Sequence, residues 1–132
     1  MNKVDKKLVL TAALFGLIAV LIGAFGAHGL KQLISAEQIQ TLETGVKYQM
    51  YHALFMLLIA CISALKTKTK NVLWHLVTIG IILFSGSIYG LTTNDLTSFN
   101  FKSIALITPV GGTLLIISWI VLFVNVLKIK TK

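Results

Sequence analysis

Two histidines and a tyrosine are the side chains in this sequence whose types and spacing suggest chemistry. His28 lies near the end of a long apolar run, and Tyr48 and His52 lie four residues apart at the start of the next one. Residues four apart share a helix face, so Tyr48 and His52 should point the same way. Imidazole and phenol groups bind polar ligands, and imidazole also ligates metals. If the two runs are adjacent helices, His28, Tyr48 and His52 lie at matching depth and form a candidate ligand-binding site.

The sequence leaves several interpretations of these three residues open. They could hydrogen-bond between helices, as polar side chains in membranes commonly do, or bind a polar headgroup or a quinone in an apolar pocket. A metal is a further alternative, although a closed zinc site needs four ligands, and haem lacks an attachment motif. No nucleophile motif, phosphate-binding loop or dinucleotide fingerprint occurs. We therefore predict no cofactor, no metal and a non-enzymatic protein, with a membrane enzyme using the same residues left as an alternative.

The elements that must position these residues are four long apolar runs. Of the 132 residues, 56% are hydrophobic and 12% are charged, whereas soluble domains are about half apolar and a quarter charged. A helix needs about 20 apolar residues to cross the bilayer. The predicted spans cover residues 8–30, 48–65, 71–91 and 105–127. They fill almost the whole chain, which predicts a single all-α domain, a bundle of four transmembrane helices.

The lysines indicate how this bundle is oriented. The amino-terminal tail, the loop between spans two and three and the carboxy-terminal tail carry three lysines each, nine of the twelve. With four spans, these segments lie on one side, and lysine-rich segments stay in the cytoplasm. We predict a plasma-membrane protein with both termini cytoplasmic and the lipid bilayer as its partner. Because the lysines flank apolar runs rather than line one helix face, nucleic acid is excluded.

Two segments beside the spans have more than one interpretation. Ser35 and Gln38 fit a capping box, and apolar residues then recur at helical spacing, which predicts a short interfacial helix between spans one and two. A long second helix bent at Gly45 fits equally well. Pro109 either belongs to a re-entrant start of span four, residues 108–112, or marks the beginning of its helix. The sequence favours the beginning of a helix because proline is tolerated in a first turn.

Small residues form stripes on three of the predicted spans. Lipid is as apolar as leucine, so membrane helices associate through close contact, which small residues permit. The stripes predict tight packing in the bundle and self-association of the chain, while a groove for a flat apolar ligand is the alternative. The predicted helix-packing residues are Gly16, Gly23, Gly26, Ala27, Gly86, Gly90, Gly111 and Ser118.

The predicted spans contain no aspartate, glutamate, lysine or arginine, which excludes some classes of membrane protein. Asp5 precedes span one, and Glu37, Glu43 and Asp95 lie in the loops predicted to be external. Proton-coupled transporters and voltage sensors usually need an ionisable group inside the membrane. The small four-span drug exporters depend on a membrane-embedded carboxylate, which this chain lacks.

Four stretches of the sequence resemble a known family. They are GAFGAHGLK (23–31), YQMYHALFMLL (48–58), LFSGSIYGL (83–91) and ITPVGGTLLIISW (107–119). Together they resemble the small bacterial integral membrane proteins with domain of unknown function 423, related to eukaryotic transmembrane protein 256. The resemblance implies a four-helix protein of the bacterial plasma membrane and implies no reaction. The family pattern includes the positions of His28, Tyr48 and His52.

Two functions follow as hypotheses. The first is a non-enzymatic structural, membrane-homeostasis or partner-binding protein, whose small-residue stripes are filled by neighbouring helices. The second is a binding or transport module for a small lipid-like or polar ligand, with His28, Tyr48 and His52 around it near the outer leaflet. A polar-lined pocket at the depth of His28, Tyr48 and His52 would distinguish the second from the first.

Overall fold

The computed structural model describes residues 1–93 and 105–132, and four helices account for most of them. In chain order these helices are α1 (Lys3–His28), α2 (Ala36–Cys61), α3 (Thr67–Thr92) and α4 (Ile107–Leu127). No strand occurs in these two ranges. Helices α1, α3 and α4 are long and apolar enough to cross a membrane, whereas α2 is more polar. The predicted all-helical membrane fold is confirmed.

Three of the helices begin before their predicted spans, and α4 begins two residues after the start of its own. Helix α1 begins five residues before the predicted span because the Asn2 side chain accepts a hydrogen bond from the Asp5 amide at 2.8 Å and caps the helix. Helix α3 begins at Thr67 rather than at residue 71. Hydropathy marks the part of a helix that lies in hydrocarbon, while capping residues outside that part decide where the helix begins.

The predicted separate interfacial helix is wrong, because α2 is a single helix from Ala36 to Cys61. The capping box at its start is present: Ser35 Oγ accepts from the Gln38 amide, and Gln38 Oε1 accepts from the Ser35 amide, both at 3.1 Å. The helix continues through Gly45, where a Cβ atom would lie 2.9 Å from Ile88 Cγ2 of α3. The missing side chain therefore serves close helix packing.

Pro109 lies in the first turn of α4, which begins at Ile107. The first residues of a helix have amide groups without an intrahelical acceptor, so proline loses no hydrogen bond there. The structure therefore agrees with the interpretation of Pro109 as the beginning of a helix and not with a re-entrant start. The segment that precedes it, 94–104, lies outside the described residues.

Consecutive helices run in opposite directions. Lys70 near the start of α3 contacts Asp5 at the start of α1, with 2.7 Å between Nζ and Oδ1, so these two helices begin at the same end. Thr69 donates a hydrogen bond at 3.0 Å to Asn125 near the end of α4. This end of the bundle contains the starts of α1 and α3 and the end of α4, and we call it the lysine-rich end. Helix α2 connects the opposite end to it over about 39 Å, at 1.5 Å per residue.

The lateral order of the helices leaves a gap between α2 and α4. Helix α1 packs mainly against α2 and α4 mainly against α3, while α2 and α3 contact each other between them. Helices α2 and α4 are therefore connected through side chains and through α3. The main apolar core lies toward the lysine-rich end and consists of Leu8, Ala12, Phe55, Met56, Ile59, Leu65, Leu73, Val77, Ile81 and Leu115.

Candidate functional site

His52 lies on α2 where the helix faces α4, and hydrogen bonds occupy both of its ring nitrogens. Its Nδ1 atom is 2.7 Å from the carbonyl oxygen of Tyr48, and because a carbonyl only accepts, Nδ1 carries the proton and donates. Its Nε2 atom accepts a hydrogen bond from the indole N–H of Trp119 at 3.1 Å. These two bonds fix one neutral tautomer, which joins α2 to α4.

Aromatic rings surround this imidazole. Tyr48 stacks on it with 6.3 Å between ring centroids and 16° between the planes. Trp119 meets it edge to face at 6.1 Å, and Phe55 packs against Trp119 at 4.2 Å. With both nitrogens engaged, the ring has no lone pair free for a metal or a substrate proton. Among the described residues, no group of three or more histidine, cysteine, aspartate or glutamate side chains could hold a metal ion.

A groove of about 310 Å³ lies between α2 and α4 at the level of His52. Phe84 of α3 forms its floor, and Gly112 of α4 gives it room, since a Cβ atom at Gly112 would be 3.4 Å from the Phe84 ring. Tyr48 and Trp119 flank it and are 43% and 49% exposed, so the groove opens toward the surroundings of the bundle. Its wall is mostly apolar and consists of Thr44, Tyr48, His52, Phe84, Gly112, Leu115, Ile116 and Trp119.

The structure brings together two of the three predicted site residues. Tyr48 and His52 lie side by side in the groove, whereas His28 is exposed at the end of α1 and does not line it. The groove lies between α2 and α4, and α1 packs against α2 with little contact to α4. Trp119, which was not predicted from the sequence as a site residue, takes the place expected for His28 as the partner of His52.

A second polar cluster joins α1, α2 and α3, and it was not predicted from the sequence either. Gln49 is buried; its Nε2 atom donates to the carbonyl of Phe15 at 2.8 Å, and its Oε1 atom accepts from the Tyr89 hydroxyl at 2.6 Å. Ser85 donates to the carbonyl of Gly45 at 2.7 Å. An amide in an apolar run is costly unless it is paired, so Gln49 alone was a signal for an interhelical hydrogen bond.

An ion pair connects α1 to α3 at the lysine-rich end. Lys70 is only 3% exposed, and its ammonium donates to Asp5 and, at 3.2 Å, to the carbonyl of Ala60 at the end of α2. Next to this pair, Lys7 donates to Asn71 at 2.7 Å. The charge of Lys70 is thus compensated by Asp5 of a neighbouring helix, and the bonds of its ammonium fix three helix ends relative to one another.

Three of the predicted packing glycines lie against another helix. A Cβ atom at Gly111 would collide with the backbone of α3, at 2.8 Å from Leu83 C and 2.9 Å from Gly80 O. Gly80 was not predicted from the sequence. The other two contacts join α1 to α2: a Cβ atom at Gly26 would lie 2.7 Å from Leu42 Cδ2, and one at Gly23 would lie 3.3 Å from Val46 Cγ1.

The other predicted packing residues differ in their surroundings. A Cβ atom added at Gly16 or at Gly86 would have no atom of another helix within 4 Å, and Gly90 is partly buried. Ser118 is fully buried, and its hydroxyl donates to the Leu115 carbonyl of its own helix at 2.6 Å. The side chain of Ala27 lies outside the described residues. A packing role for Gly16, Gly86, Gly90 and Ala27 stays a prediction.

Comparison with known proteins identifies the family of this chain. Residues 22–112, which include Tyr48 and His52, match a family model described as a protein of unknown function (DUF423). A UPF0382 membrane protein of Staphylococcus saprophyticus is 39% identical over 124 residues, 94% of this chain and 99% of the relative. Those of Bacillus subtilis and Haemophilus influenzae are 39% and 36% identical over 126 residues, which are 93% and 95% of this chain and 98% and 97% of the relatives. No solved structure matches. The chain therefore belongs to the DUF423 family of membrane proteins.

Proposed function

We propose that this protein is a non-enzymatic structural protein of the bacterial plasma membrane. The observation that carries the proposal is that the buried amide, imidazole and ammonium groups of the described chain are engaged in bonds between helices. Gln49 bonds to α1 and α3, His52 bonds to α4, and Lys70 bonds to α1 and α2. A catalytic acid, base or nucleophile must have an atom free for its substrate. The polar chemistry of this bundle instead holds four helices together.

The proposal includes an orientation with both termini in the cytoplasm. The lysine-rich end carries the three segments that hold nine of the twelve lysines, and such segments stay on the cytoplasmic side. Since α1 and α3 run in the same direction, α2 has to cross back between them although it is the most polar helix. Glu37, Glu43 and Lys47 lie in the half of α2 near the opposite end.

Cysteine labelling in intact cells tests this orientation. Cys61, the natural cysteine, is replaced by serine, and either Glu37→Cys or Lys130→Cys is added. We expect a membrane-impermeant maleimide to label the Glu37→Cys variant in intact cells and the Lys130→Cys variant only after lysis. The reverse pattern would contradict the proposed orientation.

Replacement of His52 tests the structural role. His52→Phe keeps an aromatic ring but removes the bonds to Tyr48 and Trp119, so we expect a lower unfolding temperature in detergent. Organic extracts of the purified variant should contain the same small molecules as extracts of the wild type. If the variant is as stable as the wild type but loses a bound molecule, the structural proposal is wrong and a binding function is favoured.

A second candidate function is the binding of a small lipid-like ligand, which the groove between α2 and α4 favours. The groove is apolar apart from a few groups such as the Thr44 hydroxyl, a composition typical of ligand pockets. Gly112→Leu fills it, and Gly112→Ala is the matched control because its methyl group would only touch Phe84. Under this hypothesis the leucine variant loses a molecule that the wild type and the alanine variant retain. Equal retention in all three would exclude it.

A further inference from the structure

A polar cleft lies at the lysine-rich end, between the start of α3 and the end of α4. It has a volume of about 240 Å³; Lys66 and Thr69 line one side, and Asn125 and Lys128 line the other. The hydrogen bond from Thr69 to Asn125 connects the two sides at 3.0 Å. This bond fixes the two helix ends relative to each other, so the two lysines are held at the rim of one cleft.

The positive charge of this cleft is not compensated by the rest of the described chain. Residues 1–93 and 105–132 contain a single ion pair, which joins Asp5 to Lys70. Both Lys66 and Lys128 are exposed, and neither contacts a carboxylate. The amino end of α3 adds partial positive charge and the carboxyl end of α4 at Lys128 adds partial negative charge of similar size, so the net charge of the cleft is that of its two lysines. The cleft is therefore complementary to an anion.

An apolar groove continues from this cleft along α4. Its volume is about 780 Å³, and its wall includes Leu122, Phe123 and Val126. Ile129 lines both the cleft and the groove, so the two are adjacent. The groove runs from the end of α4 back to Trp119, that is, from the lysine-rich end toward the middle of the helix. A volume of this size accommodates a drug-sized or larger apolar group.

We infer that this end of the protein binds an anionic phospholipid. The phosphate lies between Lys66 and Lys128, and an acyl chain follows the apolar groove along α4. Basic pockets between helix ends at the membrane surface bind anionic headgroups, and each lysine near the surface contributes about 1 kcal/mol. A soluble phosphate would occupy only the cleft, whereas a phospholipid would occupy both the cleft and the adjoining apolar groove. Because the two are adjacent, we favour a lipid. The inference depends on membrane embedding and not on the structural role proposed above.

Lipid competition in nanodiscs tests the inference. The wild type is reconstituted in equal parts of phosphatidylglycerol and phosphatidylcholine, and native mass spectrometry measures which lipid stays bound. We expect a preference for phosphatidylglycerol that Lys66→Gln/Lys128→Gln lowers about 25-fold, the effect of two lysines at about five-fold each. The matched control, Lys3→Gln/Lys6→Gln, removes two charges from the same end of the bundle on α1. It should keep the preference.

A fluorescence measurement locates the acyl chain and guards against misfolded variants. In a Trp74→Phe background, brominated phosphatidylglycerol should quench Trp119, which lines the groove, more than the same fraction of brominated phosphatidylcholine. The variant Lys66→Arg/Lys128→Arg, with unchanged helix content by circular dichroism, should retain the preference. An equal loss in the α1 control, the absence of a preference in the wild type, or displacement of the lipid by millimolar inorganic phosphate would each overturn the inference.

Discussion

The close approach between α3 and α4 makes a sharp prediction for Gly111. The Cβ atom of an alanine there would lie 2.8 Å from Leu83 C and 2.9 Å from Gly80 O, and it would also contact the amide nitrogen of Phe84. Carbon atoms pack best at about 3.5–4.0 Å, so α4 would have to move away by about 0.7 Å or more. All three neighbouring atoms belong to the backbone and cannot rotate aside.

The expected cost follows from two opposing terms. Overpacking in a well-packed interior costs about 1–3 kcal/mol, and an obstacle made of backbone belongs at the upper end of that range. Alanine returns about 1 kcal/mol through its higher helix propensity. We therefore expect Gly111→Ala to lower the free energy of unfolding by about 2 kcal/mol.

Gly86 on the partner helix provides a matched control for this substitution. No atom of another helix lies within 4 Å of a methyl group there, so Gly86→Ala should stabilise the protein by about 0.5–1 kcal/mol through helix propensity alone. The two variants should differ by about 2.5–3 kcal/mol in a titration of mixed micelles with sodium dodecyl sulfate, followed by circular dichroism. Equal stability of Gly111→Ala and Gly86→Ala would refute the reasoning. A loss for Gly86→Ala that grows with dilution would instead indicate that Gly86 packs between copies of the chain.

Three further predictions concern hydrogen bonds and a helix start, and the same titration checks them. Lys70→Met leaves the carboxylate of Asp5 without its partner and should lower the free energy of unfolding by about 3 kcal/mol. Adding Asp5→Asn to this variant should recover part of that loss. If the effects of the two substitutions are additive, the two residues are not paired. Gln49→Leu should cost about 1–2 kcal/mol and Tyr89→Phe less, because the phenylalanine removes one of the two bonds of the amide. Pro109→Ala should change stability by less than about 0.5 kcal/mol, since proline in a first turn displaces no hydrogen bond; a larger effect would indicate that Pro109 shapes the segment before it.

The sequence predicts the helices well because hydropathy and length decide which segments are soluble in lipid, whatever their neighbours are. It predicts their bounds less well because capping by residues such as Asn2 depends on a few polar atoms outside the apolar run. The first half of α2 shows a further limit. Its amphipathic pattern after Ser35 fits an interfacial helix and also fits a long helix that packs against a neighbour, and only the position of α3 at Gly45 distinguishes them.

The candidate site shows the same division between local and tertiary information. The pairing of Tyr48 with His52 follows from helical spacing and needs no knowledge of the fold. The choice of His28 as their partner used depth in the membrane, which the sequence indicates for each span. The depth of a residue in the membrane does not say which helices lie side by side. That lateral order places Trp119 of α4 next to His52 and leaves His28 outside the groove between α2 and α4.

Buried polar residues carry information about that lateral order. Among the described residues, six of the seven buried polar or charged side chains belong to α2 and α3, the two helices that pack on both sides, and the seventh is Ser118 of α4. A helix with lipid on most of its surface offers few partners for a polar group, and Ser118 bonds within its own helix. A central helix can instead place Gln49 between two neighbours and His52 against a third. The polarity that leaves α2 out of the helices apolar enough to cross a membrane therefore marks it as an inner helix. The two helices richest in amide, imidazole and hydroxyl side chains are the ones to place at the centre of a bundle.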